Sequence, residues 1–97
     1  MNNYRFTDEA EKDLEDIIGN TQGNWGEDQV ALYLNGLEKH LNILLNNPDI
    51  GIKRTSLAKG LVSFPYESHV IFYVKDANGI MIIRILQKAM DPLKYLI

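Results

Sequence analysis

The order of apolar periodicities in these 97 residues predicts an α+β domain, β-α-α-β-β-β, with a helical hairpin packed on a mainly antiparallel sheet. Three observations carry that prediction. Two consecutive stretches, about residues 8–22 and 27–46, repeat apolar side chains at helical spacing. Two later runs, residues 70–74 and 80–86, are apolar over strand length and are joined by Asp76-Ala77-Asn78-Gly79, the strongest hairpin signal in the chain because Asn-Gly accepts positive φ. A composition of 45% hydrophobic and 24% charged residues supplies one ordinary core, and the length fits one domain over residues 1–97.

Each element has a local cause. Tyr4 and Phe6 flank Arg5 in a short alternating strand with one buried side. Thr7 follows as a helix N-cap, with Asp8 and Glu9 in the first turn where carboxylates suit the helix dipole. Ala10, Leu14, Ile17 and Ile18 form the apolar face of this helix; Glu11, Lys12, Asp13, Glu15 and Asp16 form its solvated face. Gly19 and Gly23 weaken the pattern, so the helix should end near Gln22 and leave Trp25 as a core plug at the hairpin tip. The second helix carries Val30, Tyr33, Leu34, Leu37, Leu41, Leu44 and Leu45, and Asn47-Pro48 closes it. Gly36 inside it costs about 1 kcal/mol against Ala, which close packing on the first helix would explain.

Residues 48–60 lose periodicity and read as a long basic connection containing a short strand or turn near 55–57. The meander then starts with a strand over residues 61–64, which Pro65 marks as an edge or a strand end. Arg84 interrupts the last apolar strand, so its charge must reach solvent, a partner or a carboxylate such as Asp91 or an acid of the first helix. Apolar residues on both sides of the last two strands require cover on the second sheet face. The C-terminal tail MDPLKYLI or a partner would supply it.

Composition also excludes classes of function. The chain has no cysteine, which removes disulfides, thiolate zinc sites and cysteine nucleophiles and fits a cytoplasmic location. No stretch approaches the roughly 20 apolar residues of a membrane span, and the polar, acidic N-terminus is unlike a signal peptide. Residues 1–50 carry 3 Lys/Arg against 10 Asp/Glu, and residues 51–97 carry 7 against 3. That balance argues against direct nucleic-acid binding, where phosphate contacts dominate affinity. His40 and His69 lack acidic or cysteine neighbours at metal-ligand spacing; His40 reads as a boundary residue and His69 as a hydrogen-bonded structural one. No phosphate loop, GxSxG motif, metal set or cofactor signature occurs.

The motifs that remain resemble one family. Trp25-Gly26 with Gln29 and Tyr33 looks like the WGxxQxxxY helix start of ParE toxins, and Asn47-Pro48 with Gly51 like their NPxxG segment. Ser68 to Tyr73 is similar to their SHVIFY strand, and Arg84-Ile85-Leu86 with Met90-Asp91 to their RILHxxMD ending. The chain thus resembles the ParE branch of the ParE/RelE toxin–antitoxin superfamily over nearly its whole length. Three positions depart from that pattern: Glu67 stands for a Gly, Val62 for an Arg, and Gln87 for a His.

The resemblance implies a RelE/ParE-like fold, a cognate ParD-like antitoxin as partner, and DNA gyrase as a target inhibited by binding. It also raises an alternative, since RelE toxins of the same fold cut messenger RNA on the ribosome. That chemistry needs cations on the scissile phosphate and a proton donor for the leaving oxygen. Lys53, Arg54, Lys59 and Tyr95 are the candidates for it, although Ala89 and Val62 stand where RelE-type sites carry arginine. A non-toxic relative is a further alternative. For partner binding the candidates are Arg84, Lys88, Met90, Asp91, Leu61 and Phe64. The expected docking features are a groove between helices and sheet and an open edge at the strand of Leu61 and Phe64 or at that of Tyr4 and Phe6.

Overall fold

The structure, a computed structural model, describes residues 3–96. In chain order the elements are β1 (Asn3–Phe6), α1 (Asp8–Trp25), α2 (Glu27–Asn46), β2 (Ile52–Lys53), β3 (Val62–Tyr66), β4 (His69–Asp76), β5 (Gly79–Gln87) and the short α3 (Pro92–Tyr95). The strands form one sheet in the order β1-β5-β4-β3-β2, antiparallel throughout except where β1 runs parallel to β5. The expected layers are present. The chain leaves β1 through the helical hairpin and returns to the sheet at its far edge.

Thr7 is the N-cap of α1, its hydroxyl oxygen accepting from the Ala10 N–H at 3.1 Å. The helix runs past Gln22 to Trp25 because Gly19 and Gly23 lie in open space on its exposed side and cost only backbone entropy. The break falls at Gly26, whose φ of +88° favours glycine. Its N–H donates to the Gln22 carbonyl and its own carbonyl accepts from Val30, so one residue ends α1 and begins α2. A reversal this tight turns Trp25 outward, and its side chain is 75% exposed instead of plugging the core. Gly36 also has a different reason from the one expected. It packs against β3 rather than α1: a Cβ there would overlap the Tyr66 hydroxyl, which donates to the Tyr33 carbonyl at 2.7 Å.

The sheet separates two apolar layers. Val62, Phe64 and Tyr66 of β3, Ile71 and Tyr73 of β4, and Ile80, Ile82 and Ile85 of β5 face the helices, meeting Ala10, Ile17, Leu37, Leu41 and Leu44. Leu61, Phe72 and Leu86 lie on the opposite face under Leu57 of the 54–60 loop and Met90 and Leu96 of the C-terminal segment. The tail therefore covers the second face, as far as it is described; Ile97 lies outside the described residues. Leu61 and Phe64, expected together on one open edge, point to opposite faces. The strand they begin is not a free edge at its start either, since β2 pairs Ile52 with Ser63 and Lys53 with Val62. Beyond Ser63 no outer strand follows, which is where Pro65 is tolerated. Residues 55–57 form a turn and the short strand falls earlier, at β2, because Arg54 N–H bonds back to the Leu61 carbonyl at 2.8 Å.

Both hairpins in the meander differ from the simplest reading. Between β4 and β5 the two loop residues are Ala77 and Asn78, with Asp76 opposite Gly79. The glycine is required there by a neighbour: a Cβ on Gly79 would overlap the Asn3 carbonyl of β1. Between β3 and β4 the loop is Glu67-Ser68, and Glu67 adopts φ +53°. Positive φ at the first loop position is glycine's preference, and a glutamate held there carries strain.

At the centre of β5 the register shifts. Phe72 lies opposite Arg84 and Tyr73 opposite Ile82, so Ile83 is an extra residue, a β-bulge. The bulge falls just where β1 stops, and the chain around α1 completes the exposed edge of β5. Thr7 N–H bonds to the Ile82 carbonyl at 3.0 Å, and the Thr7 hydroxyl donates to the Ile83 carbonyl at 2.8 Å. Asp13 accepts from the Ile85 N–H at 3.0 Å and binds the Arg84 guanidinium through both oxygens, at 2.7 and 2.9 Å. Arg84 thus pairs with an acid of the first helix and not with Asp91. Removing Asp13 would leave the part-buried Arg84 guanidinium without its counter-charge and the Ile85 N–H without a partner. Asp13→Ala is expected to lower stability by about 3 kcal/mol in urea denaturation. Glu67→Gly is expected to raise it by about 1 kcal/mol, read by the same measurement, because the turn strain is released.

Candidate functional site

The outward turn at Gly26 leaves a cleft between the helical hairpin tip and the Glu67–His69 corner of the sheet. It has two lobes of about 490 Å³ each, joined through the shared residues Thr21, Trp25, Ser68 and His69. One lobe runs along α1 past Asp16 and Asn20 to Gln87 and Met90. The other runs over the first turns of α2, past Gln29 and Tyr33 to Leu32. Helix spacing places Gln29, Leu32 and Tyr33 on one side of α2, Trp25 joins them from the end of α1, and the β3–β4 turn brings Glu67, Ser68 and His69 to the same lobe.

Three of the sequence segments that carry the ParE resemblance meet here although they are far apart in the chain: Trp25, Gln29 and Tyr33; Ser68 and His69; and Met90. The fourth, Asn47-Pro48 with Gly51, has a structural use. Its Pro48 carbonyl accepts from the buried Tyr73 hydroxyl at 2.8 Å, and Gly51 admits β3 with no room for a Cβ.

The charges in the cleft are one-sided. No Lys or Arg lines either lobe. Asp13 is neutralised by Arg84, whose guanidinium is held above its usual pKa by the hydrogen bonds it donates to that carboxylate. Asp16 and Glu67 have no ion-pair partner among the described residues. Burial raises the Tyr33 hydroxyl far above the usual range, helped by the neighbouring Tyr66 and Glu67, so it stays protonated, hydrogen-bonded to His69 Nδ1 at 3.3 Å. Burial also lowers the His69 pKa. The imidazole is therefore hydrogen-bonded, as expected, and also lines the cleft. His40 is the half-buried boundary residue, its Nδ1 at 2.8 Å from the Gly36 carbonyl and its ring 4.7 Å from that of Tyr66.

The candidate residues separate into groups. Met90 lines the cleft, and Lys88 lies at its margin, where its N–H bonds to the Ser68 carbonyl at 3.0 Å. Asp91 is the N-cap of α3, accepting from Leu93 N–H. Arg84 is engaged by Asp13 and donates to the Tyr95 carbonyl at 2.8 Å. Leu61 is buried on the second face and Phe64 packs on the helix side, so neither reaches the cleft. The nuclease candidates are dispersed. Lys53 is on β2 and Lys59 in the loop after it, while Arg54 Nε donates to Ser63 Oγ at 2.8 Å. Tyr95 lies beside Arg84 of β5, its ring centroid 5.9 Å from the guanidinium carbon. Two strands stand between β5 and β2, a separation of roughly 14 Å at the usual strand spacing. Sequence reading missed Asp16, Glu67 and Leu32 as cleft residues. The available signal was Trp25-Gly26 between two helical patterns, a junction tight enough to expose the indole.

Among the described residues no three His, Cys, Asp or Glu side chains are grouped to hold a metal, and no helix is long and apolar enough to cross a membrane.

A helical hairpin on a five-stranded mixed sheet, with an open polar cleft at the hairpin tip, places the chain in the class of small α+β domains. Residues 4–92 match the family described as ParE toxin of type II toxin–antitoxin system, parDE, and the chain belongs to that family. It is 30% identical over 96 residues to Toxin ParE1 of Caulobacter vibrioides, with 99% of both chains covered. It is 32% identical over 89 residues to Toxin ParE1 of Mycobacterium tuberculosis, with 91% of both covered. Among solved structures, the chromosomal ParDE TA system from P. aeruginosa shares the fold at a TM-score of 0.72 and 19% identity, covering 90% of this chain and 96% of that one.

The environment of His69 predicts a pH dependence. Because its folded pKa is depressed, the unfolded chain binds the proton first as pH falls. The stability due to the neutral imidazole is complete above the ordinary value of 6.5 and is lost as pH drops from there toward the depressed folded value. The urea midpoint should therefore be lower at about pH 5.5 than at about pH 7.5, and the difference should shrink in His69→Gln.

Proposed function

We propose that this ParE toxin acts by binding, with DNA gyrase as its target, and that a ParD-like antitoxin from the same operon neutralises it in the cytoplasm. Such a pair stabilises the plasmid or chromosomal segment that encodes it. The family supplies the toxin role; the binding mechanism is inferred from the chain's own geometry. What supports it is the contrast between a wide cleft assembled from three distant segments and a set of nuclease candidates scattered from β2 to α3. Cleavage of RNA needs several cations and a proton donor converging on one phosphate. Lys53 on β2 and Tyr95 beside Arg84 of β5 lie about three strand spacings apart, roughly 14 Å, which disfavours their serving one scissile bond. Arg54 is turned to Ser63 and Arg84 to Asp13, which further reduces the cationic charge available.

A binding toxin also fits the surfaces on offer. β1 presents an unpaired outer edge, and the second sheet face is covered only by the 54–60 loop and the C-terminal segment. An antitoxin that folds on binding gains affinity from both kinds of surface and is open to proteolysis when free.

Expression of the chain alone should arrest bacterial growth, and co-expression of the adjacent antitoxin frame should restore it. Lys53→Ala and Tyr95→Phe should leave the arrest intact, whereas loss of arrest together with codon-phased transcript cuts in the wild type would establish the nuclease instead. Purified protein should inhibit gyrase supercoiling in vitro; unaltered supercoiling at saturating toxin would remove gyrase as the target.

A further inference from the structure

We infer that the cleft at the hairpin tip receives an arginine-bearing segment of a partner polypeptide, with guanidinium groups against Trp25 and the carboxylates of Asp16 and Glu67 as counter-charges. The inference stands on the cleft's own chemistry and is independent of the gyrase reading.

The first observation is Trp25. It is the chain's single tryptophan, it borders both lobes, and it is 75% exposed. An indole is among the largest apolar surfaces a protein owns, and leaving it in water forgoes the gain of burial. Gly26 holds it there by a backbone reversal, so its exposure is built into the fold rather than being a loose side chain on a tail.

The second observation is charge. The lobes hold no Lys or Arg, Asp13 is consumed by Arg84, and one unpaired carboxylate stands in each lobe, Asp16 in the first and Glu67 in the second. His69 is kept neutral by burial and cannot compensate them. Incoming cations meet one carboxylate in each lobe and the exposed indole of Trp25, which borders both. Guanidinium fits this set better than ammonium, because its plane stacks on an aromatic face while its edge donates in pairs to a carboxylate.

The third observation decides between a small cation and a polypeptide. The lobes share four lining residues, and each offers an apolar seat: Leu32, 64% exposed, in one, and half-buried Met90 in the other. A free cation uses neither. A segment with arginines flanked by apolar side chains uses the carboxylates, the indole and both seats together. The excess of carboxylates over residues 1–50 adds attraction at longer range.

The test uses the intact chain and a blocked hexapeptide alternating Arg, Leu and Ala, followed by Trp25 fluorescence and calorimetry. The expected result is a saturable change in Trp25 emission, weakened about tenfold or more when citrulline replaces arginine and by a similar factor in the Asp16→Asn/Glu67→Gln variant. Because both changes preserve side-chain shape, circular dichroism of the variant should be unaltered. Charge reversal on the solvated face elsewhere, at Glu38→Lys, should leave binding unchanged. Equal binding of the citrulline peptide, or undiminished binding by the double variant, would overturn the inference. So would a dimer of the chain alone that hides Trp25, since a second copy would then be the occupant. Growth arrest is read separately, so failure here leaves the toxin assignment standing.

Discussion

The Asp13–Arg84 pair holds together the parts of this protein that the sequence keeps far apart. β1 is too short to cover β5, and the bulge at Ile83 begins where β1 ends. An uncovered strand in that position would expose backbone donors and acceptors beside the core. The N-terminal stretch of α1 meets that demand with side chains: Thr7 serves the Ile83 carbonyl and Asp13 the Ile85 N–H. The same aspartate neutralises Arg84, whose other nitrogen holds the Tyr95 carbonyl of the C-terminal segment. One carboxylate therefore connects helix, central strand and tail. Its side chain is 13% exposed and that of Arg84 is 20%, so the pair sits where desolvation is partial and the bidentate geometry compensates it.

From that anchor the two faces of the sheet follow. On the helix side a thick core forms around Tyr73, Ile71, Ile82 and Leu44. On the other side Phe72 and Leu86 are buried by little more than Leu57, Met90 and Leu96, a cover only one side chain thick. The bulge matters for this division. Without it Ile82, Arg84 and Leu86 would share a face; with it Ile82 and Ile85 point to the helices, and Ile83 and Leu86 to the thinner layer. A local insertion in one strand thus lets two cores be served by a single apolar run.

The cleft is a consequence of the same economy. Because Gly26 alone separates two long helices, the hairpin tip has no loop to fold back over the sheet. The space beside it is bordered by whatever the helix ends and the β3–β4 turn provide: an indole, two free carboxylates and polar side chains. The P. aeruginosa structure shows that this architecture tolerates wide divergence, retaining the fold at 19% identity.

The order and type of the main elements were legible in the sequence because they follow from local causes. Helical periodicity in α1 and α2, the Thr7 cap, the Pro48 stop and the apolar runs of β4 and β5 each act over a few residues. Motif order was legible too and led to the family. Contacts between distant residues were not. Gly36 looks like a propensity defect in one dimension and Gly79 like a turn residue, and both are explained by Tyr66 and Asn3, which arrive from other strands. Trp25 reads as a core residue by composition, and only the φ of Gly26 turns it outward. Arg84 demanded a partner, but its distance from Asp13 along the chain hid which acid it would meet. The sequence by itself determined which segments become helix or strand, since those choices are made within a turn or two of chain. Tertiary structure decided which polar groups are spent on the fold and which stay free at a surface, because that depends on neighbours brought together only by packing.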